Sequence, residues 1–364
     1  MKKPDYNNSI LNVTNSILHF YGIKTEYSGI KILDKKLDRN YNHVVLILLD
    51  GMGINIINNH LNENAGLRKN IKREISSVFP PTTVAATNSV LSGLPPFVHG
   101  NLGWMQYNKF EDCYPVVFKN IDYYDKDRIL IEKFQKEYLN YKDIFVQIKE
   151  KHPDYLVTSI FPDFIVGGCA SFSEEVDRIL EIVKSKNSFT YCYWTDPDAT
   201  IHETGVNSLE TSLVMNNLNN EYERLVNNVD DDVLIITIAD HGLIDVEEIK
   251  IFEYENITKF FKRNPALEPR ATAFYIKENQ LKNFEKEFKK TFGKDFLLLS
   301  KEEVLNSELF GQGNKHNLFD DFIGDYLSIA ITNKMFSLSN DGKFVAHHAG
   351  LSELEMIVPL IINK

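Results

Sequence analysis

Short, nearly unbroken apolar runs alternate along the chain with longer segments whose apolar residues recur at helical spacing. Residues 44–49 (Val-Val-Leu-Ile-Leu-Leu) contain no polar position, the pattern of a strand covered on both faces. Runs at 74–79, 155–160, 188–194, 233–238 and 356–362 read as further strands, and the segments 53–62, 84–91, 174–184 and 209–228 read as helices between them. This alternation predicts an α/β protein with a mostly parallel central sheet flanked by helices. From 249 to 346 the pattern changes. A charged helical segment (279–290), strands at 271–276 and 325–331 and a Gly/Asn cluster at 310–315 predict an inserted α+β cap subdomain. The catalytic core is then expected over 1–248 and 347–364. A shorter Tyr- and Lys-rich insert is expected over 101–151.

Composition narrows the classes. The chain has 364 residues, 43% hydrophobic and 25% charged, ordinary for a folded globular protein. Its 40 basic against 51 acidic residues give a net charge of -11, which argues against a nucleic-acid polymer as partner. A small anionic substrate stays compatible, because a bound metal reverses the local field. Cys113, Cys169 and Cys192 are far apart and odd in number, so neither a disulfide framework nor a zinc knuckle is expected. No apolar run approaches the ~18 residues of a membrane span, and residues 1–15 lack the apolar core of a signal peptide. The expectation is a cytoplasmic protein without membrane partners, with homo-oligomerisation left open. The sequon at Asn256 is then accidental.

The chemistry sits where the predicted strands end, the edge at which α/β sheets bind ligands. Asp50 follows 44–49 directly and reads equally as a helix N-cap or a ligand. Phe79-Pro-Pro-Thr82-Thr83 joins a strand to a helix, and a hydroxyl there caps the helix or attacks a phosphorus held at its N-terminus. Asp198 and His202, four apart after the strand 188–194, suit one metal ion, with a polar turn as the bland alternative. Asp240-His241-Gly follows the strand 233–238, and His347-His348 precedes the last strand. Counting one histidine of the 347–348 pair, these supply three carboxylates, three imidazoles and a hydroxyl, about the inventory two zinc-like ions need.

The segments LLDGMG, FPPTTVAATNSVLSGLPPFVHG, WTDPDATIHETG, IADHGL and HHAGLSELEMIVPL, in this order, resemble the alkaline phosphatase superfamily, and within it the type I phosphodiesterase/nucleotide pyrophosphatase branch. The resemblance implies hydrolysis of small phosphate esters, with phosphomonoester or phosphonate hydrolysis on the same site as the alternative and a non-catalytic metal-binding member as a third reading. It implies Thr83 as nucleophile and two divalent ions, zinc favoured and manganese the alternative. One ion falls to Asp198, His202 and His348, with His347 competing for the last place. The other falls to Asp50, Asp240 and His241, with Thr83 as a further ligand. One departure is Ala86, three residues after Thr83, where nucleotide pyrophosphatases usually carry Asn. Asn88 is the substitute candidate, and Trp104 is the candidate for stacking on a flat substrate group. Arg270 either reaches the site from the cap or pairs with an acid.

Overall fold

The computed structural model describes residues 1–131, 133–339 and 343–363. In chain order its strands are β1 (His43–Leu49), β2 (Ile71–Ser76), β3 (Leu156–Ile160), β4 (Ser188–Trp194), β5 (Val233–Ile238), β6 (Ile244–Asp245), β7 (Glu247–Lys250), β8 (Phe261–Leu267), β9 (Ala271–Ile276), β10 (Phe296–Ser300), β11 (Tyr326–Ala330), β12 (Lys334–Ser337), β13 (Ala346–His347) and β14 (Ile357–Asn363). The main sheet has the order β2-β14-β5-β1-β4-β3. It is parallel except for β14, which runs antiparallel to both neighbours. Strand β1 lies between β5 and β4 and is buried along its whole length, which is why residues 44–49 are all apolar and its first residue, His43, is satisfied by Ser188 Oγ at 2.8 Å. Its register pairs Leu49 with Trp194 and Leu48 with Ile238. Three central strands therefore stop level, and Asp50, the 195–198 turn and Asp240 leave from one edge.

The strand expected at 74–79 is displaced to Ile71–Ser76. Residues 77–79 have left the sheet by then: Ser77 N–H donates to Met356 O at 2.7 Å, and Phe79 is buried in a different hydrophobic cluster. The helix Ile10–Phe20 lies in a stretch that looks polar. Its Asn12, Thr14 and Asn15 are nonetheless buried, because Asn12 Nδ2 donates to Ser28 O (2.8 Å), Thr14 Oγ1 to Val90 O (2.7 Å) and Asn15 Nδ2 to Gly93 O (2.9 Å).

Strands β8 to β11 form a separate antiparallel sheet, β10-β11-β9-β8. The helix Leu281–Phe292 covers it with Phe284, Phe288 and Phe292, one helical face at i, i+4, i+8. The hydrophobic cluster under this sheet also draws in Leu102, Met105, Tyr114 and Phe134, so these residues and the segment after 249 share one core. Among the described residues no helix is long and apolar enough to cross a membrane. All three cysteines are buried and free.

One buried acid lies away from the strand ends. Glu175, on the helix Phe172–Ile182, is fully buried and accepts from Cys192 Sγ at 2.9 Å. Burial pushes its carboxyl up to about 8. An acid raised on folding keeps a proton that the unfolded chain has already released. Its stabilising contribution therefore falls as pH rises from its unfolded value and levels off above about 8. Glu175→Gln is expected to remove this slope, up to about 1.4 kcal/mol per pH unit, and thus to stabilise the protein at pH 8 relative to pH 5. Thermal melts of both chains between pH 5 and 9 check it; parallel profiles refute it.

Candidate metal and phosphoryl site

Asp50 is placed by the end of β1, where its N–H donates to Trp194 O at 3.0 Å. Gly51 then turns the chain at φ +72. A Cβ there would stand 2.8 Å from Asp198 Cβ and 2.7 Å from Leu243, so only glycine lets the acids approach this closely. Gly51 N–H donates to Asp240 Oδ1 (3.0 Å), and Asp198 N–H donates to Asp50 O (3.0 Å). These backbone contacts lock the three turns together.

The imidazoles are oriented from behind. His202 Nδ1 meets Ala346 O at 2.8 Å, His241 Nδ1 meets Gly242 O at 3.2 Å and His348 Nδ1 meets Pro81 O at 3.1 Å. A carbonyl only accepts, so each ring carries a proton on Nδ1 and turns Nε2 inward. There Nε2 faces carboxylate oxygens: His202 to Asp198 Oδ2 at 3.3 Å, His241 to Asp50 Oδ1 and Asp240 Oδ2 at 3.4 Å each, His348 to Asp198 Oδ1 at 4.0 Å. Asp50 Oδ1, Asp198 Oδ1 and Asp240 Oδ2 are buried without a hydrogen-bond donor. At His241 and His348, ring nitrogens facing unpartnered carboxylate oxygens in a buried cluster form the arrangement a cation resolves, so the donor set fits divalent metal ions.

Two groups of ligand atoms converge: Asp198, His241 and His348, and Asp50, Asp240 and His241. His202 lies one step further out, against Asp198. Of the two adjacent histidines, His348 joins the converging group, whereas His347 Nδ1 accepts the His348 N–H at 2.9 Å. Burial raises the carboxyls of Asp50 and Asp240, and for Asp50 the neighbouring acids add to it. For Asp198 the push from burial is outweighed by the imidazoles, His202 foremost, and it sits below its ordinary value. His348 is held well below the usual imidazole range by burial and by the His241 ring, stacked on it at 3.8 Å.

Thr83 begins the helix Thr83–Ser92, and its Oγ1 lies 3.4 Å from Asp50 Oδ2 and 3.3 Å from His241 Nε2. Thr82, one residue earlier, is buried and donates to Glu268 Oε1 at 2.6 Å. Asn88 is not brought to the cluster: its amide donates to Val84 O (2.7 Å), and its Oδ1 accepts from Tyr141 (2.6 Å) and Gln135 (3.2 Å). Trp104 comes close through its backbone, whose N–H donates to the same Glu268 oxygen at 2.7 Å, while its ring rests beside Phe118 and Lys119. Arg270 pairs with an acid: Nε and Nη2 reach Glu355 at 2.8 and 2.9 Å, and both residues are fully buried. Two residues without a sequence signal adjoin the site: Tyr193, which donates to Asp50 Oδ2, and Glu268, which accepts from Thr82. Tyr193 is hidden in an apolar strand, whereas Glu268 lies two residues before Arg270.

The turn after His348 bears a cost. Ala349 has φ +87, a region that suits glycine. Ala349→Gly is expected to raise stability by about 1 kcal/mol, read as a higher Tm of the metal-free chain; a lower Tm overturns it.

A mostly parallel α/β sheet whose strand ends gather three acids and three imidazoles beside a helix-borne hydroxyl suits a metal-dependent hydrolase. The model of the type I phosphodiesterase/nucleotide pyrophosphatase family matches residues 44–316, and the chain belongs to that family. Among solved structures it is similar to murine ectonucleotide pyrophosphatase/phosphodiesterase 5, an inactive threonine-to-alanine variant in complex with AMP (TM-score 0.64, 16% identity, covering 89% of this chain and 88% of that one). The human counterpart aligns with TM-score 0.64 at 15% identity over 88% of this chain and 87% of that one. Phosphonoacetate hydrolase from Sinorhizobium meliloti 1021, in complex with phosphonoformate, aligns with TM-score 0.62 at 15% identity over 88% and 89%. A search of curated proteins found no match.

Proposed function

We propose that the chain is a two-metal phosphodiesterase or nucleotide pyrophosphatase that works through Thr83. One ion is assigned to Asp198, His202 and His348, the other to Asp50, Asp240 and His241, with Thr83 beside them. The observation that carries this reading is the set of orphaned carboxylate oxygens facing inward Nε2 atoms. When bound, divalent ions lower the pKa of a hydroxyl and offset phosphoryl charge. Thr83 Oγ1 attacks the phosphorus, the bond to the leaving oxygen breaks, and water then cleaves the Thr83–phosphorus bond. The N–H groups of the first helical turn favour the anion. Three imidazoles favour zinc, and the carboxylates leave manganese as the alternative.

A diester is preferred over a monoester because Arg270, the arginine nearest in chain to the site-facing Glu268, is spent on Glu355 and adds no charge for a dianion. Residues 1–248 with 347–364 are assigned as the catalytic core, and 249–346 as a cap. A small phosphate ester is the partner, no nucleic-acid polymer or membrane is required, and the free cysteines agree with a cytoplasmic setting. Turnover of bis-p-nitrophenyl phosphate against p-nitrophenyl phosphate, with Zn, Mn and Mg in turn, is the test. Faster diester turnover is expected. Dominant monoester turnover replaces the diester reading, and no turnover with two bound ions removes the enzyme reading.

A further inference from the structure

The helix Thr83–Ser92 starts at Thr82, whose backbone has ordinary N-cap geometry (φ -145, ψ 147), yet no side chain caps it. Threonine at this position normally accepts an N–H of the first turn. Elsewhere in the molecule the N-cap side chains of Asp143, Ser171, Ser208, Ser300 and Ser352 each do so. Thr82 differs because its hydroxyl is engaged, donating to Glu268 Oε1 at 2.6 Å. Glu268 is buried (1% exposed) and lies in the turn between β8 and β9. That turn is held firmly. Leu267 takes φ +76, its N–H donates to Met105 O at 2.9 Å, Thr272 Oγ1 donates to Glu268 O at 2.6 Å, and Trp104 N–H supplies the second donor to Oε1 at 2.7 Å. A strained residue kept in a fixed turn marks a geometry that its surroundings enforce.

We propose that Glu268 is a positioning residue that holds the Thr82 hydroxyl away from the helix N-terminus, so that the first-turn N–H groups stay open to a phosphoryl oxygen presented to Thr83. This rests on the hydrolase reading for the identity of the ligand. Without Glu268, rotation about the Thr82 Cα–Cβ bond lets Oγ1 cap the helix, and the hydroxyl then competes with the phosphoryl group for the same donors. The segment after 249 thus sets the anion affinity of a site whose other groups lie outside it.

The test is binding of inorganic phosphate to the metal-loaded chain by titration calorimetry, with metal content measured on each variant. Glu268→Ala is expected to weaken phosphate binding by about tenfold, the scale of one capping interaction, at unchanged metal content. Thr82→Val, which removes the competing hydroxyl, is expected to stay within about threefold of the parent. The decisive chain is the double variant, expected to return to the Thr82→Val affinity. A merely structural loss would leave it as weak as Glu268→Ala. Glu268→Asp, too short to reach Thr82, serves the same comparison where the alanine variant does not fold. Unaltered phosphate affinity in Glu268→Ala or Glu268→Asp, or a double variant no tighter than the single one, overturns the proposal. A chain that binds phosphate in this pattern but turns over no ester removes the hydrolase reading and leaves the role of Glu268 intact.

Discussion

Thr83→Ala is expected to lower diester turnover by about a thousandfold or more while the bound metal stays at two ions per chain. Thr83 Oγ1 is the hydroxyl that stands beside both Asp50 and His241, at 3.4 and 3.3 Å. The neighbouring Thr82 cannot replace it, because its hydroxyl points to Glu268 at 2.6 Å. Thr83 is only half-buried and opens a helix, so truncation to alanine, a strong helix former, changes stability by less than about 1 kcal/mol. The expected pattern is therefore an active site that is folded, metal-loaded and silent. Thr83→Ser, which keeps a hydroxyl at the same atom, is expected to retain turnover within about tenfold. Steady-state kinetics on bis-p-nitrophenyl phosphate with metal analysis of the same samples decides it. Parental turnover in metal-loaded Thr83→Ala removes Thr83 as nucleophile and leaves the ion assignment standing.

The groups that were legible in the chain share one property: they interrupt an apolar pattern. The stretch 44–49 of β1, buried on both faces, has no polar position, so the first polar residue after it stands out. Asp50 and Asp240 were visible for that reason, and the level strand ends then bring them together. Tyr193 was not visible, since an aromatic residue in β4 looks like core until its hydroxyl is seen on Asp50. Glu268 was hidden by distance in sequence, 186 residues from the Thr82 it holds. The helix Ile10–Phe20 was hidden by composition, because its buried polar side chains are satisfied by carbonyls that belong to other segments. Asn88 shows the converse error. Spacing brought it near the nucleophile in sequence, but five residues along a helix turn a side chain through about 140°, and its oxygen faces Tyr141 and Gln135.

Removal of the metal is expected to abolish turnover and to leave a chain whose stability falls as pH rises. Without ions the carboxylates of Asp50, Asp198 and Asp240 are crowded at one buried point. Burial holds Asp50 and Asp240 above their ordinary values, with their acidic neighbours adding to the shift of Asp50. A folded state that keeps protons the unfolded chain has released loses stability with rising pH, from the unfolded aspartate value of about 4 up to the raised folded values. His202 acts in the same sense. Burial lowers it, but Asp198 outweighs that and leaves it raised, so its contribution is lost as pH rises through its folded value. His347 and His348 oppose this only at lower pH. Depressed by burial, they cost stability once the unfolded imidazoles begin to protonate below about 6.5. The window above about pH 6.5 is therefore where the acid cluster dominates among these groups. Asp50→Asn removes the most crowded charge, so the metal-free variant is expected to be more stable than the metal-free parent at pH 8 by about 1–3 kcal/mol, with a smaller gap at lower pH. The same substitution is expected to abolish turnover, because one of the two proposed ions would lose a ligand. Taking the difference between the two chains cancels the slope from Glu175, which is common to both. Chemical denaturation after exhaustive chelation, at pH 6.5 and 8, measures it. A metal-free Asp50→Asn chain less stable than its parent at pH 8 shows that the cluster is held together by something other than cations, and full turnover after chelation shows the same for catalysis.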